Sequence, residues 1–218
     1  MSQLTKQQQA QYIDHTNLSP TATFEDIKKL CEEAIKYQFK SVCINPYYVQ
    51  YAKQNLKNSN VLVCTVIGFP LGMNTIKTKV DEAIDAIKNG ADEIDMVINE
   101  AELKKFNKEY CLNEINSVKN AINDKTLKVI VETSQLNEEQ KKFAAELILE
   151  SNADFIKTST GFIGSGAQLE DIKNWKNILN GKKLIKAAGG IRTHEDLIKF
   201  IESGSDRIGS SKGVEIIK

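Results

Sequence analysis

Lys157 and Lys186 each stand in the middle of an apolar, strand-like run, Phe155-Ile156-Lys157-Thr158-Ser159-Thr160-Gly161 and Leu184-Ile185-Lys186-Ala187-Ala188-Gly189-Gly190. Burying an ammonium ion is costly, so a lysine inside a strand needs a carboxylate partner or a chemical use that exploits a lowered pKa. An amine that attacks a carbonyl must be unprotonated, whereas a free lysine has a pKa of about 10.4. A neighbouring cation and a desolvated site both disfavour the charged form, which is how a lysine is activated for Schiff-base formation. Lys157 beside Lys186 supplies such a pair. A carboxylate between them would offset part of the charge and move protons between water and an imine or enamine.

Side-chain parity places these groups. Alternate strand residues face opposite sides, so in Glu93-Ile94-Asp95-Met96-Val97-Ile98-Asn99 the apolar set Ile94, Met96 and Ile98 shares one face, and Glu93, Asp95 and Asn99 share the other. By the same rule Ile156 and Ile185 turn toward a helical layer, and Lys157 and Lys186 turn inward with Asp95. Three strands thus deliver polar groups to one interior.

The elements that must hold them alternate along the chain. Strand-like runs are expected over residues 12–15, 41–45, 61–69, 93–99, 127–133, 155–160, 184–189 and 207–210, with amphipathic helices over 24–37, 78–89, 101–123, 138–151, 169–179 and 195–203 and a shorter helix after Asn45. Thr23 with Asp26, Asn137 with Gln140 and Thr193 with Asp196 have the spacing of helix-starting capping boxes. Strand–helix alternation calls for parallel strands with crossover helices. Eight such units in 218 residues predict an α/β fold, a compact (β/α)₈ TIM barrel, as one domain over residues 1–218.

Two glycine segments lie where a barrel binds phosphate. Gly189-Gly190-Ile191-Arg192-Thr193 follows one strand and opens a helix, and Gly209-Ser210-Ser211-Lys212-Gly213 follows the last strand. The loops after the final two strands of a barrel are a common phosphate site, built from backbone N–H groups and a helix N-terminus. Gly161, just past the Lys157 strand, would let a substrate approach the backbone.

Composition narrows the partners. Lys+Arg and Asp+Glu balance at 29 each, so no net field recruits nucleic acid or an anionic membrane. No apolar stretch is long enough to span a bilayer. Cys31, Cys43, Cys64 and Cys111 show no metal-ligand spacing and, without a signal peptide, read as reduced thiols of a cytoplasmic protein. With only His15 and His194 present, a histidine metal cluster is not expected, and the chemistry reads as free of metal and cofactor.

Together, Glu-Ile-Asp95-Met-Val-Ile-Asn, Phe-Ile-Lys157-Thr-Ser-Thr-Gly-Phe and Ile-Lys186-Ala-Ala-Gly-Gly-Ile-Arg resemble, in that order, the signatures of the deoxyribose-phosphate aldolase family, and the resemblance runs from about Ile13 to Gly213. It implies a class I aldolase that reversibly cleaves 2-deoxy-D-ribose 5-phosphate to D-glyceraldehyde 3-phosphate and acetaldehyde in deoxyribonucleoside breakdown, without a cofactor, in a family whose members are often homodimers. It also implies Lys157 as the Schiff-base lysine, Lys186 as the partner that lowers its pKa, and Asp95 as the proton-relay carboxylate. Ile13-Asp14-His15-Thr16-Asn17-Leu18 matches an N-terminal motif, which puts Asp14 and Thr16 in the substrate pocket. Gly189, Gly190, Gly209, Ser210 and Ser211 fall to the phosphate. Ser41-Val42-Cys43-Ile44-Asn45-Pro46 matches as well, with Cys43 expected as a small packing residue near the pocket. His15 and His194 receive no role, and His194 reads as a solvated cap position.

Two departures stand out. Lys212 occupies a place in the last phosphate loop where relatives usually carry a second small or hydroxyl residue, so it pairs with phosphate or turns to solvent. Some relatives also end in a tyrosine thought to assist proton transfer, whereas this sequence ends at Lys218. Either that tail is dispensable or water takes the proton with Lys186 and Asp95 in support. Two other readings stay open: a Schiff-base barrel acting on another sugar phosphate, such as a transaldolase, and a non-catalytic sugar-phosphate binder whose lysines pair with the ligand.

Overall fold

Eight parallel strands close into a barrel in strict chain order, in a computed structural model that describes residues 4–218. The strands are β1 (Ile13–Asn17), β2 (Ser41–Ile44), β3 (Leu62–Ile67), β4 (Glu93–Val97), β5 (Thr126–Ile130), β6 (Phe155–Lys157), β7 (Leu184–Ala188) and β8 (Arg207–Ser210). Closure is made by β1, which pairs with β2 through Asp14 and Ser41 and with β8 through Asp14 and Gly209. The helices are α1 (Lys6–Ala10), α2 (Phe24–Tyr37), α3 (Val49–Asn55), α4 (Ile76–Lys88), α5 (Glu100–Lys104), α6 (Lys108–Ile122), α7 (Glu138–Glu150), α8 (Leu169–Leu179), α9 (His194–Ser203) and α10 (Gly213–Ile217). This is the (β/α)₈ architecture that the alternation predicts.

All three expected capping boxes form. Thr23, Asn137 and Thr193 accept from the amide three residues on, and Asp26, Gln140 and Asp196 reach back to the cap, which satisfies end amides that a helix cannot satisfy internally. The expected single helix over 101–123 is two. Phe106 takes a left-handed φ of 58°, and Asn107 then caps α6 by accepting from Tyr110 N at 3.3 Å, so the amphipathic period continues across a break in the backbone.

The main core lies between barrel and helices. Ile94, Met96, Ile98, Ile156 and Ile185 join it, as their parity predicts, and meet α-helical residues such as Ile115, Ile148, Trp175 and Leu197. Inside the barrel a small apolar group forms from Leu18, Cys43, Cys64 and Val66. Beside it the interior is rich in charge, with the Phe155 ring lying against Lys128 and Arg207, unlike the layers of branched apolar residues that usually fill such barrels. Asn99 departs from its expected inward place, because β4 ends at Val97 and the Asn99 side chain caps α5 by accepting from Glu102 N at 3.2 Å.

A second buried ion pair ties the outer layer to the mouth of the barrel. Lys79 Nζ of α4 donates to Glu114 Oε1 of α6 at 2.7 Å, to Val97 O at 2.7 Å and to Gly72 O at 2.8 Å, while Glu114 Oε2 accepts from Asn99 N at 2.9 Å. Both side chains are fully buried. Removing one partner leaves an uncompensated charge, so Lys79→Ala is expected to destabilise the fold by about 3–5 kcal/mol in urea titrations, and the paired Lys79→Met, Glu114→Leu variant by clearly less. Equal losses for the two would show that packing, not charge, is what the pair contributes.

Candidate active site

Six strands send charged side chains into the barrel, and they meet in one network. Asp95 of β4 is its centre. Its Oδ2 accepts from Lys157 Nζ and from Lys186 Nζ, each at 2.7 Å, and its Oδ1 accepts from Lys128 Nζ at 2.9 Å and from Cys64 Sγ at 3.1 Å. Lys157 and Lys186 are register partners across β6 and β7, and Asp95 and Lys128 are partners across β4 and β5, so strand pairing itself sets these distances. Lys186 Nζ also meets Asp14 Oδ2 at 2.5 Å. Arg207 bridges Asp14 at 2.5 Å and Glu93 at 2.9 Å, Lys128 pairs with Glu93 at 2.7 Å, and Ser41 Oγ donates to Asp14 at 2.7 Å.

The electrostatics follow from that geometry. Burial alone would push the Asp95 carboxyl upward, but Lys128, Lys157 and Lys186 outweigh it and hold the carboxyl well below the usual carboxylate range. Asp14 is held low in the same way by Arg207 and Lys186 against its burial. Burial would push the Lys186 ammonium down, yet Asp14 and Asp95 together raise it above its ordinary value, so Lys186 keeps its proton. Fully ionised, the network sets four cations, Lys128, Lys157, Lys186 and Arg207, against three carboxylates, Asp14, Glu93 and Asp95. One positive charge is in surplus. Cys43, Cys64 and Asp95 bring possible metal-ligand atoms within 4.8 Å of one another, but Asp95 is already engaged by three ammonium groups and the surplus opposes a further cation.

Above the network opens a cleft of about 750 Å³ on the side of the barrel where the strands end. Lys157, 3% exposed, is the network member that lines it. Thr16, Gly161, Gly189, Gly190, Gly209, Ser210 and Ser211 all line the same cleft. Gly189 and Gly190 have φ near 86° and 81°, a left-handed turn suited to glycine. A side chain at Gly209 would come within 3.3 Å of Lys186 Cε, so the glycine leaves room for that lysine. Ser210 Oγ donates to Ile191 O at 2.7 Å and accepts from Lys212 N at 3.0 Å, which stitches the last two loops together.

Four placements differ from or refine expectation. Asp14 does not line the cleft: it is fully buried below it, where Lys186 and Arg207 claim both oxygens. Lys212 turns away from the loop and pairs with Glu215 at 3.1 Å. His194 is exposed, but its Nε2 meets Gln9 Oε1 at 3.0 Å rather than solvent alone. Cys43 packs in the small interior group, where a hydrogen bond with Cys64 outweighs burial and draws its thiol below the ordinary value. Lys128, Glu93 and Arg207 were not expected to have a part in the site. Lys128 carried the signal, since in Leu127-Lys128-Val129 it interrupts an apolar strand just as Lys157 does.

The DeoC/LacD family aldolase model matches residues 9–215 of the chain. A deoxyribose-phosphate aldolase of Malacoplasma penetrans is 57% identical over 209 residues, which cover 96% of this chain and 94% of that one. One from Ureaplasma parvum serovar 3 is 61% identical over 206 residues, covering 94% and 96%. Among solved structures, an aldolase designated QR15 matches with a TM-score of 0.92 at 40% identity, over 95% of this chain and 93% of its own. The deoxyribose phosphate aldolase of Aeropyrum pernix, described as tetrameric, matches with a TM-score of 0.89 at 29% identity over 98% and 91%.

The depressed Asp95 carboxyl fixes the sign of a pH effect. Its contribution to stability is fully present above the unfolded value of about 3.9 and is lost as pH falls toward its lower folded value. Asp95→Asn is therefore expected to cost about 3–5 kcal/mol near neutral pH in urea denaturation, with the gap to the unchanged protein narrowing below about pH 4. A gap that does not change with pH would show that the ionised carboxylate is not what stabilises the network.

Proposed function

Because the chain belongs to the DeoC/LacD family of aldolases, we propose that it reversibly cleaves 2-deoxy-D-ribose 5-phosphate to D-glyceraldehyde 3-phosphate and acetaldehyde through a Schiff base on Lys157. The observation that carries this reading is the position of the Lys157 amine, at the floor of the cleft and sharing one oxygen of Asp95 with Lys186. A neutral amine at Lys157 leaves the other six groups balanced, three positive and three negative. Lys186, Lys128 and Arg207 are each held above their ordinary values by carboxylates that outweigh burial, which leaves Lys157 to act as the nucleophile.

In the cleavage direction the Lys157 amine adds to the C1 aldehyde of the open-chain sugar phosphate, and loss of water gives a protonated imine. That cation stands where an ammonium would stand, so Asp95 stabilises it without rearrangement. The C3 hydroxyl gives its proton to water as its oxygen becomes the aldehyde of the departing glyceraldehyde 3-phosphate, the C2–C3 electron pair passes into the imine, and the enamine that remains is protonated at C2 and hydrolysed to acetaldehyde. Asp95 and Lys186 exchange protons with water at that carbon and nitrogen. Gly189, Gly190, Gly209 and Ser211, with the N-terminus of α9, hold the phosphate and orient the reacting carbon with remote binding energy.

The same reading assigns the enzyme to deoxyribonucleoside breakdown in the cytoplasm and to a homodimer, which light scattering separates from a monomer or a tetramer. Among the described residues no helix is long and apolar enough to cross a membrane.

Borohydride reduction with acetaldehyde, followed by peptide mass mapping, is expected to leave a stable two-carbon adduct on Lys157 and none in Lys157→Ala. An adduct elsewhere, or none, overturns the assignment of the nucleophile. Turnover of a ketose phosphate but not of deoxyribose 5-phosphate would move the substrate to another sugar phosphate. Lys186→Leu removes the surplus charge, so its rate profile is expected to shift to higher pH while adduct formation at Lys157 persists. An unchanged profile would remove Lys186 from that role.

A further inference from the structure

Glu132, just past β5, is fully buried outside the ionic network and takes φ 50° and ψ 68°, a left-handed conformation that glutamate disfavours. Such outliers cluster at functional positions, where the surroundings impose them. Here the surroundings are a neighbouring turn. Glu132 Oε2 accepts from Thr160 N at 3.0 Å and from Thr160 Oγ1 at 2.5 Å, and Thr160 Oγ1 in turn accepts from Phe162 N at 3.1 Å. The carboxylate therefore holds Thr160 directly, and Phe162 on the far side of Gly161 through the Thr160 hydroxyl.

Its second oxygen is left without a partner. Glu132 Oε1 and Glu100 Oε1 are both buried without a hydrogen-bond partner. Burial, and then the Glu132 charge, push the Glu100 carboxyl above its ordinary value. The turn that Glu132 grips also leads to the opposite wall of the cleft. Thr160 and Gly161 line it together with Gly189 and Gly190, and Ala167 N donates to Ala188 O at 3.1 Å and Gly189 O at 3.2 Å. Glu132 itself does not line the cleft.

We propose that Glu132 is a positioning residue for the phosphate end of the substrate, holding the turn over residues 160–162 so that Gly161 faces the glycine loop after β7 at the separation a phosphate group requires. The inference rests on the proposed function for the identity of the anion. It assigns Glu132 no contact with the reacting carbon, so its loss must weaken phosphate recognition and spare the amine.

Two substitutions test this. Glu132→Gly removes the grip while suiting the positive φ, and Glu132→Gln keeps an oxygen that accepts from both Thr160 donors. Inorganic phosphate binding is read by titration calorimetry, KM with 2-deoxy-D-ribose 5-phosphate, and amine reactivity by borohydride-trapped acetaldehyde, which carries no phosphate. Glu132→Gly is expected to weaken phosphate binding and raise KM about tenfold, the scale of one lost hydrogen bond, with acetaldehyde capture changed less than about twofold. Glu132→Gln is expected to recover both values to within about threefold. If Glu132→Gly does not fold, Thr160→Val cuts the same link from the other side and is expected to show the same pattern. Unchanged phosphate affinity and KM in a folded variant, a parallel fall in acetaldehyde capture, or a Gln variant as weak as the Gly variant would each overturn the proposal. Absence of acetaldehyde capture in the unchanged protein would sink the aldolase reading instead, and phosphate calorimetry would still decide the role of Glu132.

Discussion

One carboxylate, Asp95, organises the interior of this barrel. Three lysines from three strands converge on its two oxygens at 2.7 to 2.9 Å, and none of them is exposed enough for water to replace that contact. Such groups are expensive to bury singly and tolerable only as a closed set. The set closes through Glu93, which pairs with Lys128, Asp14, which pairs with Lys186, and Arg207, which bridges those two carboxylates, so that Lys157 keeps a single acidic neighbour. A site of this kind spends interior volume on charge where other barrels place apolar layers. The apolar burial that stabilises the fold has moved outward, into the shell between strands and helices.

That division of labour explains how the chain was legible. Parity in short strands separated Ile94, Met96, Ile156 and Ile185 from Asp95, Lys157 and Lys186, and the interior and exterior faces of the structure divide in the same way. The capping pairs at Thr23, Asn137 and Thr193 are local and were readable for that reason. The glycine segments were placed at the cleft by their order along the barrel.

What stayed hidden depends on contacts between distant residues. Glu93 and Arg207 pair with each other across 114 positions and with Lys128 and Asp14 besides, and no periodicity reports such distances. Asp14 matched a motif, but whether it faces a ligand or lies beneath it depends on Lys186 and Arg207 arriving from strands near the other end of the chain. Strand β6 stops at Lys157 rather than Thr160, because the Thr160 amide is taken by Glu132 instead of a neighbouring strand. The break at Phe106 is masked in sequence by an amphipathic pattern that runs straight through it.

The ion pairs of Arg207 have a consequence for how the chain comes into being. Its strand is the last of eight, and through Asp14 it reaches the first. Until that final strand docks, Asp14 lacks its strongest partner, Lys186 lacks a settled Asp14, and the balance of charge around Asp95 is incomplete. A polypeptide without that segment lacks the guanidinium that links Asp14 to Glu93. The segment that leaves the ribosome last is thus the one that joins the acidic partners of Lys128 and Lys186 to each other.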